Sequence, residues 1–107
     1  MTLTDVTTIL TSTRVPFAYS HFSETPNPPY IVYYYPSEND IFADCENYVN
    51  RRQLFIELYT RTKDFELEAT VEAELKEAGI TWYKQTDFLN DEKLYQTTYE
   101  SEVIIDG

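Results

Sequence analysis

The sequence predicts an α+β fold, a single domain over residues 1–107 in which a mostly antiparallel β-sheet carries one short N-terminal helix and one longer helix. Three observations predict it. Residues 63–78 hold Leu67, Val71, Leu75 and Ala78 at i, i+4, i+8 and i+11, an apolar stripe at the helical period. Residues 50–61 alternate instead, with Leu54, Ile56 and Leu58 against Phe55, Glu57, Tyr59 and Arg61, the two-residue period of a strand. Tyr30 to Tyr35 is an unbroken apolar and aromatic run between Pro29 and Pro36. That composition marks a strand covered on both faces, or with one face kept for a partner.

From the N-terminus, Leu3, Val6 and Leu10 share one helical face with Ile9 beside them, Thr2 can cap the helix, and Asp5 completes a capping-box pattern. Val15-Pro16 ends it, because a residue before proline avoids the α region. So short a helix must dock on something to persist. Phe17, Tyr19 and Phe22 suggest a short strand, and residues 23–29 an exposed loop whose prolines lack amide donors. After the Tyr30–Tyr35 strand come a turn at residues 36–40 and a brief edge strand at Ile41-Phe42-Ala43. On the 50–61 strand, Leu54, Ile56 and Leu58 should face the core. The opposite set has the mixed composition of a wet interface or an amphipathic solvent face.

In the long helix Phe65 and Ala69 flank the stripe, and Glu66, Glu68, Glu72, Glu74 and Glu77 fill the remaining surface. Acidic residues crowd its first turn, as the helix dipole favours, and Gly79 stands where a left-handed C-cap is wanted. Two closing strands follow at residues 81–86 and 93–105, joined through Asn90-Asp91-Glu92. In the second, Tyr95, Tyr99, Val103 and Ile105 alternate with Gln96, Thr98, Glu100 and Glu102.

Composition narrows the function classes. Ten Tyr, six Phe and one Trp make 16% of the 107 residues aromatic, more than a domain of this size buries easily. Some tyrosines are therefore expected on a partner-facing surface. The net charge of -11 argues against a binder of nucleic acid or of anionic membranes, both of which need basic footprints. No stretch approaches the roughly 18 apolar residues of a membrane span. The first ten residues lack the basic flank and apolar run of a signal peptide, so an intracellular, soluble protein is expected.

Catalytic, cofactor and metal sites find no support, and no enzyme is expected. His21 is the sole histidine and has no Ser or Cys at a recognisable spacing. Cys45 lies between Asp44 and Glu46, whose charges should raise rather than lower its thiol pKa. One His and one Cys cannot make a typical structural zinc site. Glu38, Asn39, Asp40, Asp44 and Glu46 lack the spacing and glycine of a calcium loop, and with only Gly79 and Gly107 no phosphate-cradling loop exists.

Charge distribution says more. Residues 62–78 hold six acids and two bases, and residues 87–106 six acids and one base, whereas residues 49–61 hold three Arg and one Glu. Arg51, Arg52 and Arg61 are thus a basic island in an acidic molecule. Alternation puts Arg51 and Arg61 on the face of Phe55 and Tyr59, and Arg beside aromatics is enriched in interface cores. The candidate interface is therefore Arg51, Phe55, Tyr59 and Arg61, with Tyr33 and Tyr35 from the aromatic strand. Plain solvation or pairing with the chain's own carboxylates is the bland alternative.

The strings Pro29-Tyr30-Ile31-Val32-Tyr33-Tyr34-Tyr35-Pro36, Leu54-Phe55-Ile56-Glu57-Leu58-Tyr59-Thr60, Glu74-Leu75-Lys76-Glu77-Ala78-Gly79-Ile80 and Glu92-Lys93-Leu94-Tyr95-Gln96-Thr97-Thr98-Tyr99 carry a resemblance. The chain resembles the small tail terminator proteins of tailed bacteriophages and prophages of Gram-positive bacteria. The resemblance implies an α+β domain with no enzymatic residues. It implies a hexameric ring of copies that caps the tail tube and joins it to the head connector, with DNA passing through the lumen unbound. The related head-tail stopper and joining proteins of the same neck region are the alternative. An acidic DNA-mimic inhibitor is the reading from another class. It needs carboxylates in duplex-like rows, and arginines in the central strand count against it.

Overall fold

A computed structural model of the chain describes residues 1–36 and 51–105. The element order is α1 (Leu3–Ser12), β1 (Phe17–Tyr19), β2 (Tyr30–Tyr34), β3 (Arg51–Thr60), α2 (Phe65–Glu77), β4 (Tyr83–Leu89) and β5 (Leu94–Ile104). The turn expected at 36–40 beyond Pro36, the strand expected at 41–43, and Cys45 lie outside the described residues.

Helix α1 begins as its sequence requires. Thr2 Oγ1 accepts from the Asp5 amide at 3.2 Å and Asp5 Oδ2 accepts from the Thr2 amide at 2.8 Å, a closed capping box. The helix is rich in threonine, and Thr7, Thr8 and Thr11 turn their hydroxyls back onto preceding-turn carbonyls. Its stability therefore comes from docking, through Val6 and Leu10, which are 1% and 0% exposed. Helix α2 is capped by Asp64, whose Oδ1 accepts from the Leu67 amide at 3.0 Å. It ends at Gly79, φ +78°, where the Ile80 amide reaches the Leu75 carbonyl and the Gly79 amide reaches that of Lys76. This is the Schellman arrangement, and it folds Ile80 back beside Leu75 in the core.

The five strands form one sheet in the order β1-β2-β3-β5-β4, with β1 parallel to β2 and every other pairing antiparallel. The register sets Ile31 beside Leu58 and Tyr33 beside Ile56 on one side, and Ile56 beside Tyr99 and Leu54 beside Ser101 on the other. All of these side chains share one face. Val6, Leu10, Val71 and Leu75 pack on it from the helices, making the hydrophobic core. Each fully buried aliphatic side chain there contributes about 1.5–3 kcal/mol. A parallel β1–β2 pair needs a connection that crosses a face. Residues 20–29 provide it, passing over one end of the opposite face, where His21 and Phe22 with Val32 and Leu94 border a cavity of about 280 Å³.

Several expectations shift. The strand expected at 81–86 starts at Tyr83 and runs to Leu89. Phe65, expected beside the apolar stripe, is 70% exposed, because it opens the helix ahead of the first turn that meets the sheet. Glu68, expected on the outer surface, is 2% exposed. It lies three residues before Val71 and seven before Leu75, so the helical period carries it onto the buried stripe.

Candidate functional site: the open face of the sheet

Both helices pack on one face, so no described helix or strand covers the other. Register arranges that open face in rows. Tyr34, Phe55, Glu100 and Tyr83 are neighbours across β2, β3, β5 and β4; Val32, Glu57, Thr98 and Gln85 form the next row, and Tyr30, Tyr59, Gln96 and Asp87 the one after. Cross-strand aromatic pairs stack in two of these rows, Tyr34 on Phe55 with centroids 5.3 Å apart and Tyr30 on Tyr59 at 4.9 Å.

Glu57 sits between the stacks. Tyr34 Oη donates to its Oε2 at 3.1 Å and Tyr59 Oη to its Oε1 at 2.8 Å, while Gln96 Nε2 donates to Tyr59 Oη at 2.8 Å. The carboxylate is thus oriented by two neutral donors, with lone pairs left on each oxygen. Burial, then the nearby Glu57 charge, pushes the Tyr34 hydroxyl up to about 12. Burial likewise raises Tyr59, reinforced by Glu57 and opposed by the Gln96 hydrogen bond. Both tyrosines stay protonated donors at neutral pH.

Of the expected interface residues, Arg51, Phe55 and Tyr59 lie on this face, and Arg61 is exposed just past the end of β3. Arg51 is within 3.8 Å of Glu102, with both side chains about 60% exposed, a weak surface pair. Tyr33 lies elsewhere. It is 8% exposed on the helix-covered face, against Phe17, Tyr19 and Tyr35. Tyr35 packs on the same side, with the Arg52 guanidinium 5.9 Å from its ring centroid. The tyrosines of this strand on the open face are therefore Tyr30 and Tyr34, one residue out of phase with Tyr33 and Tyr35.

The covered face holds a second polar arrangement that sequence reasoning missed. Lys63 Nζ lies 2.6 Å from Glu68 Oε2, and Lys84 Nζ lies 2.9 Å from Glu68 Oε1 and 2.6 Å from Glu72 Oε2. The Lys84–Glu68 contact is an ion pair outside hydrogen-bond geometry, so Oε1 has no hydrogen-bond donor. Tyr99, fully buried, donates to Glu72 at 2.9 Å. The network ties α2 to β4 and β5 and has the character of a structural clamp. Among the described residues no group of three or more His, Cys, Asp or Glu is placed to hold a metal ion. His21 is exposed, with Ser20 Oγ 3.4 Å from its Nδ1. Among the described residues, no helix is long and apolar enough to cross a membrane. Comparison with family models, with curated proteins and with solved structures returns no match to this chain.

Proposed function

We propose that this chain is a structural assembly protein, a tail-terminator-like subunit whose copies form a ring on the end of a phage tail tube and join it to the head connector. The observation that carries the reading is the sheet face that no described helix or strand covers, with two stacked aromatic pairs and a carboxylate already fixed by tyrosines. A monomer gains little from ordering such a face toward water, whereas an assembling subunit gains a preformed contact surface. The resemblance of the four strings supports the phage setting, and with it a place in the virion neck after assembly in the host cytoplasm. The net charge of -11 suits a lumen that DNA must traverse without adhering.

In this reading Arg51 and Arg61, at the two ends of β3, meet carboxylates of the neighbouring subunit in a head-to-tail contact that closes into a ring. The Arg51→Glu, Arg61→Glu double variant is expected to keep the monomer's melting temperature and to lose ring formation. Native mass and electron microscopy of mixtures with tail tubes measure this. A wild-type chain that stays monomeric alone and in the presence of tubes refutes the assembly role.

A further inference from the structure

The chain treats its carboxylates differently on the two faces of the sheet. On the covered face, Glu68 and Glu72 are met by Lys63 and Lys84. On the open face, the one described cation–carboxylate pair is Arg51 with Glu102. Among the described residues, Glu57, Glu100 and Asp87 there have only neutral partners: the tyrosine hydroxyls for Glu57, Gln53 at 3.4 Å for Glu100, and Gln85 at 3.4 Å for Asp87.

These three acids are set among rings. Glu100 stands in register between Phe55 and Tyr83, and Tyr34 stacks on Phe55 at the end of the row. Phe55 and Tyr83 are two strand spacings apart, about 10 Å, which admits a guanidinium or an ammonium group between their rings. Tyr83 is 73% exposed and lines the groove with Phe55 and Glu100. The groove measures about 220 Å³ and continues to Glu57 and Asp87. A ring face to either side and a carboxylate at the base is the chemistry that holds a lysine or arginine side chain.

We propose that this groove receives a lysine or arginine side chain projecting from a basic surface of a different protein. Charge decides between occupants. Nucleic acid phosphate is repelled from an acidic face, and the arginines that a second copy could offer, Arg51 and Arg61, are in the proposed reading already engaged in the ring contact. The inference rests on the reading of the open face as a contact surface and names the chemistry of its partner. Within that reading, the ring forms through the ends of β3, and the groove engages the component on which the ring sits.

The probe is a pair of peptide amides, Gly-Arg-Arg-Gly and Gly-Glu-Glu-Gly, titrated into the labelled full chain while backbone amide signals are followed by NMR. The arginine peptide should shift Gln85, Thr98 and Glu100 saturably, and the glutamate peptide should not. Glu100→Gln removes a charge-assisted contact and should weaken binding about tenfold. Tyr83→Ala, at an exposed position where the fold is not at risk, should weaken it about threefold. The outer acids of α2, Glu66 and Glu77, stand outside the cross-strand rows of rings and serve as the internal control. Equal shifts on α2 and on the sheet, or unchanged affinity in both variants, overturn the proposal. Groove binding by a chain that never forms rings or attaches to tubes would overturn the assembly role alone. Normal rings and tubes from a chain with no groove binding would overturn this inference alone.

Discussion

Replacing Glu68 by Gln should cost this small domain a large share of its stability, and in a pH-dependent way. The Glu68 side chain is 3% exposed, between Lys63 and Lys84, which are 29% and 35% exposed. Breaking a fully buried ion pair costs about 3–5 kcal/mol, but these lysines already reach water and recover hydration, which lowers the figure to about 2 kcal/mol. For a domain of this size that lowers the melting temperature by roughly 8–16 °C. Burial by itself would push the Glu68 carboxyl up, but the Lys63 hydrogen bond and the charges of Lys63 and Lys84 outweigh it and hold it below its usual 4.5. A folded value below the unfolded one means the stabilisation is present above about pH 4.5 and is lost as pH falls through the folded value. The gap between wild type and Glu68→Gln should therefore be full near neutral pH and narrow progressively below about pH 4.5. Denaturant titrations across that range measure it. Equal stability at neutral pH, or a gap that persists unchanged in acid, refutes the account of Glu68 as a charge clamped by two lysines.

Two further outcomes follow from the same geometry. Thr2→Ala opens the capping box of α1 and should cost about 1 kcal/mol, seen as a lower denaturation midpoint with an unchanged slope. Burial and Glu57 raise Tyr34 from 10.0 to about 12 in the folded state, so its stabilising share is full below about pH 10 and is lost as pH climbs through about 12. Tyr34→Phe should flatten that alkaline loss, followed by phenolate absorbance and circular dichroism together.

The parts of the fold legible in the sequence are those where polar residues mark the phase. β3 reads correctly because Arg51 and Glu57 stand opposite Leu54, Ile56 and Leu58, so a one-residue slip would bury charge. The capping residues Thr2 and Asp5, and Gly79 at the end of α2, are local chemistry and need no tertiary information. β2 offers no such marker. All five of its residues are apolar or aromatic, so nothing local says whether Tyr33 or Tyr34 faces the helices. Pairing decides it, because Ile31 and Tyr33 lie beside Leu58 and Ile56. Tyr33, expected with Phe55 and Tyr59, thus lies on the opposite, helix-covered face of an unphased strand.

Glu68 is the instructive opposite, since its place on the buried stripe is written in the helical spacing but its identity argued against it. A carboxylate at a core position costs several kcal/mol unless cations reach it. One of the two that do, Lys84, comes from β4 sixteen residues further along the chain, a contact that no local pattern announces. The same topology that brings Lys84 under α2 turns Tyr83 and Gln85, its immediate neighbours, onto the open face beside Glu100 and Thr98. Placing a lysine beside Glu68 and Glu72, and none beside Glu57, Glu100 and Asp87 among the described residues, are thus two consequences of a single strand's alternation. β4 has one lysine, and its phase sends that lysine to the helix side.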